Sequence, residues 1–89
     1  MSVKIYIPSS LEHHTNNIQE VDVAGDTVGT CLKDLVGKFP DIKTGLFNNK
    51  GELLESLDIW VNMESSFPLE LLKPVNDGDV LYITGNGGT

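Results

Sequence analysis

Cysteine occurs once in this 89-residue chain, as Cys31, and tryptophan once, as Trp60. A single thiol closes no internal disulfide and completes no cluster or zinc set, which excludes zinc ribbons, plant-type ferredoxins and disulfide scaffolds together. Long apolar runs are also missing, so no segment is suited to span a bilayer and no membrane partner is expected. Positive charge is scarce. Six basic residues stand against 13 acidic ones, a net charge of −7. That balance repels phosphate backbones, so nucleic acid is a poor partner, and a protein presenting a basic surface is the expected one. The N-terminus, Met1-Ser2-Val3-Lys4-Ile5, enters alternating structure without an apolar signal core, so a cytoplasmic location is expected. What remains is ordinary: 39% hydrophobic and 21% charged residues suit a soluble globular domain, and the length allows one core.

Val3, Ile5 and Ile7 alternate with Lys4 and Tyr6, the period of a half-buried strand. Pro8-Ser9-Ser10 breaks that run, and the polar stretch Glu12 to Asn17 reads as a loop or wide turn. Ile18, Val21 and Val23 suggest a second strand, stopped by Ala24-Gly25. Asp26 and Thr27 are good helix N-caps. Behind them Val28, Cys31, Leu32, Leu35, Val36 and Phe39 form one apolar stripe on a helix of about three turns, ended by Pro40. Asp41 to Leu46 fits either extended or irregular chain. Asn48-Asn49-Lys50-Gly51 is a turn signal, and Leu53-Leu54 is a candidate short strand. Asp58 to Asn62 is a clearer strand, with Ile59 and Val61 on one face. Phe67, Leu69, Leu71 and Leu72 look like a connection that plugs one end of the core. Asn76-Asp77-Gly78-Asp79 is a tight turn before the strand Val80 to Ile83. The expected organisation is a body over residues 1–83 and a flexible glycine-rich tail over 84–89. One helix must cover one face of a small mixed sheet of four to five strands, an α+β roll with the first strand parallel to the last.

No conventional catalytic set emerges. His13 and His14 are adjacent and lack acidic or thiol groups at metal spacing, which suits solvated loop residues. Cys31 lies on the apolar stripe and reads as a buried small hydrophobe. Ser9-Ser10 and Ser65-Ser66 lack a nucleophile-elbow context and read as loop residues. The acidic residues are dispersed over a solvated face. Gly85-x-Gly87 opens no helix, so a phosphate-cradling loop is rejected. The informative feature is instead the glycine-rich end, which has no side chains to hinder passage through a narrow channel in another protein.

Ile59-Trp60-Val61-Asn62, Pro74-Val75, Asp77-Gly78-Asp79, a hydrophobic strand and Gly87-Gly88 occur in an order that resembles the MoaD/ThiS family of ubiquitin-like sulfur carriers. Asp26-Thr27-Val28 with Leu32 and Leu35 is similar to that family's helix entry. The Ile-aromatic-Val-Asn strand is most similar to its CysO-type branch. The resemblance covers nearly the whole chain and implies a β-grasp, ubiquitin-like fold and a carrier role without enzymatic activity of its own. A MoeB/ThiF-like enzyme would use ATP and Mg to adenylate the C-terminal glycine. A desulfurase or rhodanese-like donor would then convert it to a thiocarboxylate. That group would donate sulfur to an acceptor synthase in molybdopterin, thiamine or cysteine biosynthesis.

Carried over by position, Gly88 is the activated residue, and Gly85 and Gly87 give the clearance to thread. No bound cofactor and no metal site are implied. Tyr6, Trp60 and Tyr82 are candidates for a partner interface on the open face of the sheet, although alternation alone leaves open whether Tyr82 or Leu81 and Ile83 face outward. Two departures stand out. The chain ends Gly-Gly-Thr, so Thr89 would have to be removed, as by a trimming metalloprotease. The tail after Asp79 is also about two residues shorter and more polar than is usual in the family. An alternative therefore stays open: a non-covalent ubiquitin-like interaction module, or a protein modifier, with an unactivated tail.

Overall fold

The computed structural model describes residues 2–54, 57–66 and 69–85. Five strands form one mixed sheet: β1 (Val3–Tyr6), β2 (Glu20–Val23), β3 (Leu57–Val61), β4 (Glu64–Ser65) and β5 (Val80–Gly85), in the order β2-β1-β5-β3-β4. β1 and β5 are central and parallel, with Ile5 opposite Leu81, and every other pairing is antiparallel. Alternation in the sequence sets the faces. Val3, Ile5, Val21, Val23, Ile59, Val61, Leu81 and Ile83 are all buried and point to one side. Burying such side chains contributes roughly 1.5–3 kcal/mol each relative to exposure, which fixes the register of the sheet.

The main helix α1 (Val28–Lys38) covers that side, with Val28, Cys31, Leu32 and Leu35 fully buried. Its start is held by a reciprocal cap: Thr27 Oγ1 accepts from the Thr30 amide, and the Thr30 hydroxyl oxygen accepts from the Thr27 amide. The chain returning at Lys73–Val75 is tied to the same point. The Val28 amide donates to the Lys73 carbonyl at 2.9 Å, and the Val75 amide donates to the Asp26 carbonyl at 3.0 Å. Gly29 permits that closeness, because a Cβ there would lie 2.9 Å from the Leu71 carbonyl oxygen.

Several expectations are corrected. The stretch read as a polar loop is a 3-10 helix over Ser9–Thr15 that buries Leu11 and Thr15 in the core. Thr15 compensates its burial by donating its hydroxyl to the Ile18 carbonyl at 2.7 Å. The undecided segment after Pro40 is a 3-10 turn (Pro40–Ile42) running into a short helix α2 (Lys43–Leu46), whose Ile42 and Leu46 are fully buried. Ile18 is exposed and precedes β2. Leu53 makes only an isolated bridge to Phe47, while the unforeseen strand β4 pairs Ser65 with Trp60. Ser65 is thus a strand residue, whereas Ser66 lies in the loop after it, as expected, and is buried there. Leu69 and Leu72, expected to plug the core, are exposed, whereas Leu71 packs against it. Phe67 lies outside the described residues. The turns at Asn48–Gly51 and Asn76–Asp79 form as expected, the latter with Gly78 at φ 89°.

Candidate docking face and the C-terminal strand

Tyr6, Tyr82 and Trp60 fall at the same level of three adjacent strands: Tyr6 is opposite Tyr82, and Tyr82 is opposite Trp60. Leu81 and Ile83 face the core, so Tyr82 faces outward. The three aromatics form a row across the open face, half-buried at Tyr6 and 37% and 41% exposed at Trp60 and Tyr82. The tyrosine rings stack with centroids 5.1 Å apart and planes 6° from parallel. Such stacking fixes both rings before any partner arrives. Beyond them Trp60, Asn62, Met63, Tyr82 and Thr84 line a shallow hollow of about 440 Å³, and Met63 is 91% exposed. Met63 gave no sequence signal, because it sits on a two-residue hairpin turn that periodicity does not read.

Acidic groups edge this row. Glu20 and Asp22 alternate with buried valines on β2 and therefore share the open face, as does Asp58 on β3. Glu20 pairs with Lys4 at 3.1 Å, and that contact with Glu20 holds the Lys4 ammonium above its ordinary range. Asp58 accepts from the Ser65 hydroxyl at 3.2 Å. Asp79 has a structural duty instead. Its carboxylate accepts from the Asn76 amide at 2.8 Å and from the Asn62 side-chain amide at 3.2 Å, pinning the turn before β5 to the turn after β3.

The last strand extends further than expected. Thr84 and Gly85, assigned from sequence to a tail starting at residue 84, pair with Asp58 and Leu57 of β3. The Thr84 hydroxyl also donates to the Asp58 carbonyl at 3.0 Å. β3 begins one residue before the expected Asp58 and so offers Gly85 a partner. Gly87, Gly88 and Thr89 lie outside the described residues.

The histidines read as solvated loop residues are helical instead, and His14 is half-buried. His13 and His14 sit on the 3-10 helix with ring centroids 3.9 Å apart. No group of three or more histidines, cysteines and carboxylates suited to a metal occurs among the described residues. Cys31 is fully buried, and burial pushes its thiol up to about 11, with Asp34 and Asp26 adding to the shift. No helix among the described residues is long and apolar enough to cross a membrane.

No family model matches the chain. The sulfur carrier protein CysO of Mycobacterium tuberculosis is 33% identical over 86 residues, covering 93% of this chain and 92% of that protein. Among solved structures, a chain of the Amycolatopsis orientalis BexX/CysO complex superposes with a TM-score of 0.89 at 30% identity, covering 98% of both chains. The small archaeal modifier protein SAMP1 of Haloferax volcanii gives 0.86 at 26% identity over the full length of both. These likenesses confirm the ubiquitin-like β-grasp fold expected from the helix-covered mixed sheet. With a third of its residues shared with CysO along nearly its whole length, and a closely similar backbone, the chain belongs to the CysO-type sulfur carriers of the ubiquitin-like MoaD/ThiS family, whose members are carriers rather than enzymes.

Proposed function

We propose that this chain carries sulfur as a thiocarboxylate on Gly88, formed after removal of Thr89. The observation that carries this reading is the similarity to CysO across 93% of the chain. The described end of the chain accords with it: β5 runs at the centre of the sheet as far as Gly85, leaving Gly88 three residues further on. A carboxylate is a poor electrophile. On a MoeB/ThiF-like partner supplying ATP and Mg, its oxygen attacks the α-phosphorus and pyrophosphate leaves. The resulting mixed anhydride has AMP as a good leaving group. A persulfide on a desulfurase or rhodanese-like donor attacks the carbonyl through its terminal sulfur and expels AMP. A thiol then reduces the acyl disulfide, leaving the thiocarboxylate on Gly88 and a disulfide on the donor side. Gly87 contributes clearance, and the partners contribute the catalysis.

Among molybdopterin, thiamine and cysteine synthesis, the likeness to CysO favours a cysteine-forming acceptor. Intact mass measurement on protein from the native host tests the reading. The expected species lacks the threonine residue and has one oxygen replaced by sulfur. An unchanged full-length mass under active sulfur metabolism would overturn it. The likeness to SAMP1 favours a second use of the same activated glycine, amide formation with a lysine of another protein. That use would appear as covalent conjugates lost on deletion of Gly88.

A further inference from the structure

A second surface lies on the outer flank of α1, away from the aromatic row. Residues Val28, Cys31, Leu32 and Leu35 face the sheet, which leaves Gly29, Thr30, Lys33 and Val36 outside. Together with α2, the turn at Gly51 and the 3-10 turn Glu70–Leu72, they enclose a groove of about 470 Å³. Its apolar lining is Val36, Phe47, Leu71 and Leu72, the last 76% exposed. Such a volume lies within the range of about 300–1,000 Å³ found for binding sites.

The charge at this groove is opposite to that of the molecule. Lys33 on α1 and Lys43 on α2 line it, and both are exposed. Lys4 and Lys38 pair with Glu20 and Asp34, whereas neither Lys33 nor Lys43 has an acidic partner among the described residues. The nearest acids on α1 and its cap are committed elsewhere. Asp34 accepts from the Ala24 amide at 2.9 Å and pairs with Lys38, and Asp26 accepts from the Thr30 hydroxyl at 3.4 Å. Among the described residues, Lys33 and Lys43 thus stand unpaired beside the exposed Leu72, in a chain of net charge −7.

We propose that this groove binds a peptide segment of a partner protein in which bulky apolar side chains are flanked by carboxylates. The apolar side chains would cover Leu72 and Phe47, and the carboxylates would meet Lys33 and Lys43. A second copy of this chain fits less well. Two copies repel at −7 each, and a groove meeting a different surface makes a head-to-tail contact that does not close. The surface operates independently of the chemistry at Gly88.

The test is a titration of the full-length, ¹⁵N-labelled chain with two short peptides, each with a central Leu-Phe pair, one flanked by glutamates and one by lysines. The glutamate-flanked peptide is expected to shift the amides of Gly29, Lys33, Gly51 and Leu72 while leaving Tyr6 and Tyr82 unmoved. Raising the salt should weaken its binding several-fold, and K33E with K43E should weaken it by about tenfold or more. Both lysines are exposed, so the reversals leave the core intact. Equal shifts with both peptides, none with either, indifference to the reversals, or shifts that follow protein concentration without peptide would each overturn the proposal.

Discussion

At the scale of single residues, Cys31 and two glycines make the sharpest predictions. Burial is the main reason the Cys31 thiol is pushed up from 9.0 to about 11. The folded chain therefore holds its thiol proton more tightly than the unfolded chain does. Below about pH 9 this contribution is fully present; between 9 and 11 the unfolded state sheds the proton first, and stability falls. The advantage of the wild type over Cys31→Ala, about 1 kcal/mol at pH 7 from lost packing, should narrow across that window in urea denaturation. Native Cys31 should also resist iodoacetamide at pH 8, since the thiolate is the attacking species.

Gly29 and Gly37 share α1 but differ in surroundings. A Cβ at Gly29 meets the Leu71 carbonyl oxygen at 2.9 Å, whereas one at Gly37 meets nothing within 4 Å. Gly29→Ala should cost about 1–3 kcal/mol by forcing the 3-10 turn off the helix. Gly37→Ala should add up to about 0.5–1 kcal/mol through helix propensity alone. Thermal melts of the two variants, shifted in opposite directions, check the pair.

At the scale of elements, the start of α1 is the joint between helix and returning chain. The Thr30 hydroxyl oxygen accepts from the amides of Asp26 and Thr27, both at 3.0 Å, while Thr27 Oγ1 accepts from the Thr30 amide at 3.1 Å. Thr27→Ala and Thr30→Ala should each cost about 1 kcal/mol. The double variant should cost less than their sum, because either change alone already breaks the reciprocal cap. Equilibrium unfolding of all four proteins measures that coupling.

The elements legible from sequence are those whose apolar period shows over the length of the element: β1, β2, α1, β3 and β5, with turns at Asn48–Gly51 and Asn76–Asp79 marked by Asn and Gly. The 3-10 helix at Ser9–Thr15 escaped because its two buried residues, Leu11 and Thr15, sit among polar neighbours, and one of them is a threonine. β4 has two residues, too few to show alternation. Of the docking face, all three aromatics were candidates from residue type, yet the outward direction of Tyr82 needed the register with β1 and β3. Leu81 and Ile83 are themselves apolar neighbours in an alternating run. Lys33 and Phe47, distant in sequence, meet at the groove only because α1 and the chain after α2 fold side by side.

At the scale of the whole molecule, two faces of unlike charge lie on opposite sides of one small body. The open face carries Glu20, Asp22 and Asp58 around Tyr6, Tyr82 and Trp60, so a basic partner should be steered toward the aromatics before contact. Glu64 and Asp79, though acidic, belong to other duties: Glu64 stands opposite Val61 at the sheet edge, and Asp79 pins a turn. Reversing charge at Asp22 therefore tests steering without breaking the fold, because its carboxylate is exposed on β2. Asp41, exposed on the turn after α1, supplies the control with the same change in net charge. In stopped-flow association with the proposed MoeB/ThiF-like partner at low salt, Asp22→Lys should slow the on-rate on the order of threefold, and Asp41→Lys should change it far less. The difference should vanish as salt shortens the Debye length to about 3 Å near 1 M. Trp60→Ala should act on the other half of the encounter, raising the off-rate by about tenfold or more at every salt concentration, because a central aromatic anchor is felt after docking. Equal slowing by Asp22→Lys and Asp41→Lys would mean that net charge, and not the placement of acids around the aromatic row, guides the encounter.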